Sequence, residues 1–564
     1  MNVCKFEQID INNINYNKNI NYNDFRQIVK NSQFKCIYNQ HNITFIEYSK
    51  LQTDDFELNS NDAKLQANDY TNDVIFLKRT DFIKLIMVLY KDFIINFCKN
   101  TRINNKTVKN FNFQKLKFYI VIITIIFSII FFKNSIISIF FKGIIVSYYE
   151  ICFLIKNIII ISSIYNLKKH SSQRINEEID KFTINIKNEQ ENITTQSLNN
   201  QSNLSKLPIY TILIPMYHEN INVIQQWIKS IQEINYPKNL LDIIFVLEED
   251  DLRTQKELEN VKLPDFVTTV LVPYFEPRTK PKACNVASLF AKGEFLVVFD
   301  AEDIPDKDQL LKAVEKFNNN NINILQCNLH FYNHGKNLLT LCFEIEYLVW
   351  FKYILHTLSY CDIITPLGGT SNHIRYSFLE KLNYWDSYNV TEDLELSICV
   401  NKMDDKINCL ESDTLEWCVE DLKAFLKQRT RWIKGYILSY LTHFSDYHNC
   451  YNNNLKKIIC FDVIIGFQSI AFLLLPFILS ITIIQLNFYI KTIIIGTSCI
   501  YYVTYIYLYC VFSKKNNLKI TKTTISSFII FPVYFILHTI SSYIAIFEIL
   551  RKPFYWSKTV HNIN

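Results

Sequence analysis

Hydrophobic residues in this chain are concentrated in five long runs on either side of a region of mixed character. Two runs, 118–140 and 144–164, precede that region, and three runs, 461–484, 489–512 and 526–549, follow it. Each run is close to the roughly 20 residues that an α-helix needs to cross a bilayer. The pattern therefore predicts membrane spans that flank a globular domain.

The two spans before the globular region contain charged residues that membrane helices rarely tolerate. Lys133 lies in the first span, and Glu150 and Lys156 lie in the second. A pair of buried soluble helices is the alternative interpretation. Aromatic edges and basic flanks favour spans, and the basic flanks place both outer ends in the cytoplasm. Five spans would put the basic tail on the opposite side, a conflict that one interfacial or re-entrant run would remove.

Short apolar strands alternate with helices between the two groups of spans. Strand-like runs occupy 210–214, 243–247, 268–272, 295–299 and 322–326, and helical stretches separate the earlier ones. Alternation of this kind predicts an α/β domain with a mostly parallel sheet. Ligands of such sheets bind at the carboxyl ends of the strands, so acidic residues that follow a strand are site candidates.

These patterns divide the chain into six regions. They are a small N-terminal α+β domain (1–110), two transmembrane helices (116–166), a linker (167–206), the α/β domain (207–445), a C-terminal membrane region of about three spans (446–550) and a basic and aromatic tail (551–564). The linker is predicted because residues 185–206 are polar and show neither a helical nor a strand period.

Composition narrows the classes of function. The 564 residues are 49% hydrophobic and 15% aromatic, which excludes extensive disorder. The net charge of +5 is too dilute for a nucleic-acid-binding surface. The 15 cysteines are scattered singly, which argues against a disulfide framework or a zinc site. Dinucleotide-binding, P-loop and serine-hydrolase motifs are missing from the sequence. The candidate chemistry therefore rests on the α/β domain.

Acidic residues at two strand ends are the first chemical signal. Asp300, Glu302 and Asp303 follow one predicted strand, and Glu248 and Glu249 follow another. Carboxylates at the carboxyl end of a strand suit a hard divalent cation, which can neutralise a diphosphate leaving group. Taken alone, the first group fits the turn into a helix better than a metal site, with an acid as the capping residue.

Four further motifs lie in the same domain. In chain order they are KPKACN, which begins at Lys280; PLGGTSNH (366–373), which contains Gly369 and Thr370; VTED, which ends in Glu392 and Asp393; and QRTRWIKG (428–435), which contains Gln428, Arg429, Arg431 and Trp432. A lysine near a helix N-terminus suits a diphosphate. The glycine pair allows a sugar to approach the backbone closely.

Together with FDAED (299–303), these motifs resemble those of the membrane-bound family 2 glycosyltransferases of GT-A fold, the group that contains cellulose and hyaluronan synthases. The resemblance covers about residues 207–440. The string KPFYWSKTVH (552–561) and the flanking spans are similar to a bacterial branch that includes phage-adsorption protein B. In that branch the N-terminal region resembles a secretion-ATPase-type domain, which in some relatives binds cyclic di-GMP. Residues 1–110 show this resemblance faintly at most.

The resemblance implies a GT-A domain inserted between transmembrane helices. Such a domain would use a nucleotide sugar, here a UDP-sugar, to elongate a polysaccharide with inversion at the anomeric carbon. It places Glu248 or Glu249 against the nucleotide base and ribose, and Lys280 near the diphosphate. Asp300 and Glu302 would hold Mg²⁺ or Mn²⁺. Glu302 stands where the family usually has Asp. Because the Glu side chain is longer, coordination of the metal could pass to Glu302 or to Asp303.

The resemblance also implies roles on the acceptor side. Asp393, next to Glu392, matches the general base that removes the proton of the acceptor hydroxyl. The four residues of the QRTRW string match the acceptor end of the site in processive enzymes, where Arg429 and Arg431 close the site and Trp432 offers a flat face to a sugar ring. Gly369 and Thr370 belong to the segment expected near the donor sugar.

The expected location is the bacterial inner (cytoplasmic) membrane, with several spans and a cytoplasmic catalytic domain. The partners would be membrane lipid, a glycan or lipid-carrier acceptor and a possible regulator at the N-terminal domain, with no nucleic acid. Two alternatives are open at this point. One is a single-addition transferase that acts on a polyprenyl-phosphate carrier, and the other is a catalytically degenerate membrane receptor or scaffold.

Overall fold

The computed structural model describes residues 20–31, 35–39, 42–45, 73–76, 79–101, 107–132, 136–189, 207–264, 266–319, 322–484 and 486–556. These residues form an N-terminal group of short elements, a large α/β domain and a set of long apolar helices.

The N-terminal group packs on the α/β domain. Its elements are α1 (Tyr22–Asn31), β1 (Lys35–Asn39), β2 (Asn42–Phe45), β3 (Asp73–Phe76), α2 (Arg79–Leu89) and α3 (Lys91–Lys99). Strand β1 lies between β2 and β3 and pairs antiparallel with both. Phe25, Ile86 and Ile94 are fully buried in the same cluster as Val286 and Phe290 of the α/β domain. The predicted α+β character is therefore confirmed, and the group shares a core with its neighbour.

Two helices, α4 (Phe113–Phe132) and α5 (Ile136–Glu189), follow the 3₁₀ turn at Val108–Asn110. The first predicted span, 118–140, is divided between them, and Lys133 lies outside the described residues. The second predicted span lies within α5. Where a linker was expected from residue 167, α5 continues to Glu189, because residues 167–189 contain no proline or glycine to end the helix. Residues 190–206 lie outside the described residues.

The α/β domain begins at β4 and ends with a long helix. Its elements are β4 (Tyr210–Met216), α6 (Ile221–Glu233), β5 (Leu241–Glu248), α7 (Leu252–Glu259), β6 (Val267–Val272), α8 (Lys280–Ser288), β7 (Phe295–Val298), β8 (Ile304–Pro305), α9 (Gln309–Asn319), β9 (Ile324–Phe331), α10 (Leu338–Val349), α11 (Leu355–Tyr360), β10 (Asn372–Arg375), α12 (Tyr376–Lys381), α13 (Glu392–Lys402), β11 (Ile407–Glu416) and α14 (Leu422–Cys450). A 3₁₀ turn (Lys238–Leu240) precedes β5, and a π-helical turn (Trp350–Ile354) joins α10 to α11.

The eight strands of this domain form one sheet in the order β6–β5–β4–β7–β10–β9–β11–β8. In the order β6–β5–β4–β7 each strand is parallel to the next, β9 is parallel to β11, and β8 is antiparallel to β11. Strand β10 runs antiparallel to β7 and β9. All eight residues of β5 are buried, as expected for a strand covered on both faces. The predicted α/β domain with a mostly parallel sheet is confirmed, and the reversed strand β10 was not foreseen.

The chain ends with α15 (Leu455–Phe461), a π-helical turn (Asp462–Phe467), α16 (Gln468–Ile484), α17 (Phe488–Lys515) and α18 (Lys522–Arg551). In the described part of the chain, four helical segments are long and apolar enough to cross a membrane: Ile137–Tyr165, Leu455–Ile484, Phe488–Lys515 and Lys522–Arg551. Some of the side chains of α4 lie outside the described residues, and α4 is not among the four. These segments and their exposed apolar side chains make the chain a membrane-associated protein.

Helix α18 stays in contact with the α/β domain near both of its ends. The Cys342 thiol of α10 donates to the Ser527 carbonyl at 3.6 Å, and the Lys434 ammonium of α14 lies 2.9 Å from the Glu548 carboxylate. Beyond the helix, Lys434 also donates to the Tyr555 carbonyl at 2.7 Å. The start of the predicted tail is therefore held against the α/β domain.

Candidate active site

A cavity of about 1420 Å³ extends from the carboxyl ends of the parallel strands to the long apolar helices. Twelve of the thirteen predicted site residues line it: Glu248, Lys280, Asp300, Glu302, Gly369, Thr370, Glu392, Asp393, Gln428, Arg429, Arg431 and Trp432. Glu249 is not among the lining residues. Its carboxylate accepts a hydrogen bond from the Tyr274 backbone at 2.9 Å, so Glu248 is the acid of this pair that faces the cavity.

Glu248 is the last residue of β5, and it is held by a lysine of α8. The Lys282 ammonium donates to the Glu248 carboxylate at 2.6 Å, and both side chains are buried. Thr279 caps α8 by accepting from the Lys282 backbone N–H, which fixes the first turn of the helix. Burial raises the pKa of Glu248, and the Lys282 charge opposes that rise. The pair places a hydrogen-bonded charge at the cavity wall.

Lys280, at the start of α8, joins the strand-end acid to the glycine motif. Its ammonium is paired with the Asp300 carboxylate and donates to the Gly369 carbonyl at 2.6 Å. A Cβ atom placed on Gly369 would lie 3.6 Å from Oδ2 of Asp393. Asp300 and Asp393 therefore meet the same part of the cavity, although 93 residues of sequence separate them.

Asp303 is turned into the protein. Its carboxylate accepts from the Asp300 backbone N–H at 2.8 Å and from the Thr370 hydroxyl, and the side chain is fully buried. Burial and the neighbouring Asp300 charge raise the pKa of Asp303. Asp303 thus fixes the turn after β7 and is not part of the cavity lining. The capping interpretation applies to Asp303, whereas Asp300 and Glu302 face the cavity.

Glu392 and Asp393 begin α13. Oδ1 of Asp393 accepts from the Leu394 backbone N–H at 2.8 Å. Burial raises the pKa of Asp393. Burial and the adjacent Asp393 charge raise the pKa of Glu392 to about 7, against the lowering effect of Lys280. A carboxylate of raised pKa is a better proton acceptor near neutral pH, so this helix start can provide general-base chemistry.

The QRTRW segment lies on α14, and its two arginines have different surroundings. Arg429 forms a fork with Glu346, with nitrogen–oxygen distances of 3.1 and 2.6 Å, and donates to the Tyr534 hydroxyl at 3.0 Å. Its guanidinium is therefore committed to protein partners, and the role predicted for Arg429 in closing the site gains no support. Arg431 lies 5.7 Å from the centre of the Trp556 ring. Trp432 stacks on Tyr347, with ring centres 6.3 Å apart and planes at 14°.

Three residues that line the cavity were missed by the motif reasoning: Arg278, Glu416 and Trp556. Glu416 ends β11, and its carboxylate accepts from the Tyr347 hydroxyl at 3.0 Å. Burial together with the Asp300 and Glu302 charges raises the pKa of Glu416 well above its usual range. The available signal was an acid at a strand end, but β11 (INCLESDTLE) is too polar to be recognised as a strand. Arg278 stands two residues before Lys280.

The donor set of this part of the cavity fits a divalent cation. Asp300, Glu302 and Glu416 are carboxylates, the charges of the first two help to raise the pKa of Glu416, and hard cations prefer such oxygen ligands. A separate group of ligand-type side chains lies outside the cavity lining. Among the described residues, Glu395, Cys399 and His443 are close enough to one another to hold an ion. There, His443 Nε2 lies 3.0 Å from the Glu395 carboxylate, a contact between α13 and α14.

Comparison with known proteins identifies the family. Residues 295–513 match the family described as glycosyl transferase family group 2. The chain is 29% identical over 262 residues to the probable glycosyltransferase YdaM of Bacillus subtilis, covering 43% of this chain and 60% of that protein. The predicted likeness to family 2 glycosyltransferases is therefore confirmed for the matched segment. The finer likeness to the branch of phage-adsorption protein B stays a prediction.

Two further relatives carry different names. A poly-beta-1,6-N-acetyl-D-glucosamine synthase of Staphylococcus epidermidis is 26% identical over 229 residues, which are 40% of this chain and 54% of that protein. A beta-monoglucosyldiacylglycerol synthase of Nostoc sp. is 25% identical over 244 residues, which are 42% and 51% of the two chains. The chain thus spans about half the length of the curated relatives it matches.

Proposed function

We propose that this chain is an inverting glycosyltransferase that transfers a hexosyl group from a nucleotide sugar to an acceptor hydroxyl and elongates a glycan at the membrane. The observation that carries the proposal is the meeting of Asp300, Lys280 and Asp393 at one cavity beside the apolar helices. One relative is named as a polysaccharide synthase and another as a glycolipid synthase, and both names fit hexosyl transfer.

Asp393 is the proposed general base. A sugar hydroxyl has a pKa far above 7, so a carboxylate must accept its proton while the oxygen attacks. The acceptor oxygen forms a bond to the anomeric carbon, the bond from that carbon to the diphosphate oxygen breaks, and the proton passes to Asp393. Attack from the side opposite the leaving group inverts the configuration. Glu392, whose pKa is raised by burial and by the Asp393 charge, lies beside the base.

The donor is proposed to be a UDP-sugar, held by residues at the strand ends. Glu248, fixed by Lys282, would contact the base and ribose. Arg278, which donates to the Tyr217 hydroxyl at 2.8 Å and lies 5.5 Å from the Tyr274 ring centre, would add a cation close to the nucleotide. Lys280 would exchange its Asp300 partner for the diphosphate, where negative charge develops as the bond breaks.

A divalent metal, Mg²⁺ or Mn²⁺, is proposed at the carboxylates of this site. Asp300, Glu302 and Glu416 are the residues that would hold it. When bound, the ion would neutralise the diphosphate. Gly369 and Thr370 lie beside this position, and the Gly369 carbonyl already faces Lys280.

The proposed location is the inner membrane of a bacterium, with the α/β domain on the cytoplasmic side. We assign α4, α5, α16 and α17 as crossings and α18 as a helix that lies along the α/β domain, because α18 contacts that domain near both ends. Two crossings before the α/β domain and two after it place the N-terminal group, that domain and the tail on one side, in agreement with the shared core and the Tyr555 contact. The basic tail is then cytoplasmic, as its charge favours.

Donor screening of the purified full-length chain tests the proposal. Release of UDP is measured with a set of UDP-sugars, with and without Mn²⁺, and a radiolabelled donor reports product length. We expect one donor to be turned over in a metal-dependent way. Long products would support processive elongation, and products extended by one sugar would support the single-addition alternative.

The receptor or scaffold alternative predicts that no nucleotide binds. Protection of the chain from heat unfolding by UDP and metal would therefore dismiss it. A regulator at residues 1–110 stays a prediction. Its physical basis would be the core that α1 to α3 share with α8, the helix that carries Lys280 and Lys282.

A further inference from the structure

A lysine of a membrane-spanning helix faces the large cavity. Lys156 lies in the middle of the apolar segment Ile137–Tyr165 of α5 and belongs to the same cavity lining as Asp393. A charged side chain in such a segment is costly, and its presence marks a functional position more often than a structural one. The proposed transfer reaction uses no group of α5, so Lys156 has no role in it.

The partners of Lys156 are neutral. Its ammonium donates to the Gln468 side-chain carbonyl and lies 5.5 Å from the centre of the Phe467 ring. Among the described residues, no carboxylate forms an ion pair with it. Glu346, another acid of the cavity lining, is already held in a fork by Arg429. The other acid of α5 in the cavity, Glu150, accepts from the Thr497 hydroxyl at 3.1 Å. A positive charge is thus left for a ligand.

Part of the wall of this cavity is aliphatic. Leu475, Ile478, Leu479 and Ile483 of α16 and Ile494 and Ile495 of α17 line it. Such a wall offers few hydrogen-bonding groups to a hydrated glycan, whereas a hydrocarbon chain gains about 0.8 kcal/mol for each CH₂ group that it buries there. One cavity therefore combines carboxylate chemistry, a cation and an aliphatic wall.

We infer that this cavity binds an acceptor sugar that is linked through phosphate to a lipid. The sugar hydroxyl would lie at Asp393, the phosphate at Lys156 and the hydrocarbon chain along the aliphatic wall. Only the assignment as an acceptor rests on the proposed transferase function, since the lipid-phosphate site stands on the cavity and on Lys156. The transfer step is unchanged, because the lysine binds the phosphate and takes part in no bond exchange.

Binding to the full-length chain in phosphatidylcholine nanodiscs tests the site without any donor. The probes are geranylgeranyl phosphate, geranylgeraniol and inorganic phosphate. We expect the lipid phosphate to bind at least tenfold more tightly than the alcohol, and inorganic phosphate to bind negligibly. Lys156→Met should reduce the preference for phosphate over alcohol to less than threefold, and Lys156→Arg should keep it, since the charge is retained.

Two variants serve as matched controls. Glu150→Gln removes the other charge of α5 from the same cavity, and Lys514→Met removes an exposed lysine at the end of α17; both should keep the tenfold preference. Equal binding of lipid phosphate and alcohol, or an unchanged preference in Lys156→Met, would overturn the inference. So would inorganic phosphate that binds as tightly as the lipid.

A separate measurement distinguishes failure of this site from failure of the proposed function. UDP release from a donor reports the transferase, and lipid binding is measured without one. A chain that binds the lipid phosphate but releases no UDP would contradict only the transferase proposal. In the transfer assay the radiolabelled donor sugar is offered with a lipid-phosphate-linked acceptor, and lipid-linked product is extracted into butanol. A chain that transfers sugar but leaves no label in the butanol phase would contradict the acceptor assignment.

Discussion

Gly435 of α14 lies directly against Thr391, the residue that precedes Glu392 and Asp393. A Cβ atom added at Gly435 would lie 2.7 Å from the Cβ atom of Thr391, closer than such atoms approach in folded proteins. The glycine therefore allows the helix that carries QRTRW to pack on the start of the helix that carries the proposed base. Position 435 couples the two motifs through space.

We expect Gly435→Ala to reduce turnover at least tenfold. The added methyl group must push α14 away from α13, and a displacement of about 1 Å at a catalytic group can cost about 100-fold in rate. UDP release by the purified variant measures the effect. Gly496→Ala is the matched control, because a Cβ atom at Gly496 meets nothing within 4 Å. Full activity of Gly435→Ala would show that the contact does not position Asp393.

Asp393→Asn should lower the turnover rate at least about 1000-fold, while the affinity for the nucleotide should change less than about threefold. The amide keeps the size and the hydrogen bond to Leu394 but cannot accept the hydroxyl proton. UDP release gives the rate, and UDP titration gives the affinity. Asp300→Asn provides the contrast, because it should weaken nucleotide binding and metal response as well. Equal turnover of wild type and Asp393→Asn would refute the base assignment.

Much of the strand-end chemistry was predictable from the sequence. Asp300 and Glu248 directly follow continuous apolar runs, and parallel strands bring such ends to one edge of the sheet. The convergence with Asp393 was predictable only through the family resemblance. No local pattern shows that Gly369 would bring the glycine motif between the two acids.

Other parts of the site were not predictable, because they depend on partners far away in the chain. Arg429 is paired with Glu346, which lies 83 residues earlier, so its motif gave no sign that the guanidinium is already bound. Glu416 ends a polar strand that has no clear period. The helix α5 extends past its apolar part, because polarity alone does not end a helix.

Glu392→Gln should stabilise the chain at pH 8 and have little effect at pH 5. Burial raises the pKa of Glu392 from 4.5 to about 7, so the folded state holds its proton more tightly than the unfolded state. The stability that this proton contributes is lost as the pH rises between those values, by about 1–3 kcal/mol. Glutamine mimics the neutral acid at every pH.

The measurement is the apparent melting temperature of both proteins from pH 5 to pH 8. The difference in favour of Glu392→Gln should grow with pH and level off above about pH 7. Glu259→Gln is the control, since Glu259 is exposed at the end of α7 and should give no pH-dependent difference. A lower melting temperature of Glu392→Gln at pH 8 would contradict the assigned pKa shift.

Arg429→Met should destabilise the chain by about 3 kcal/mol, because it leaves the partly buried Glu346 carboxylate without its counter-ion. The double variant Arg429→Met with Glu346→Leu should recover most of that loss, since an apolar pair of similar volume avoids the unpaired charge. The apparent melting temperature compares the two. If the contact of Arg429 with Glu346 is structural, stability and turnover should recover together in the double variant. If Arg429 instead bound the donor phosphates, both variants would lose UDP affinity equally and their stability would change little.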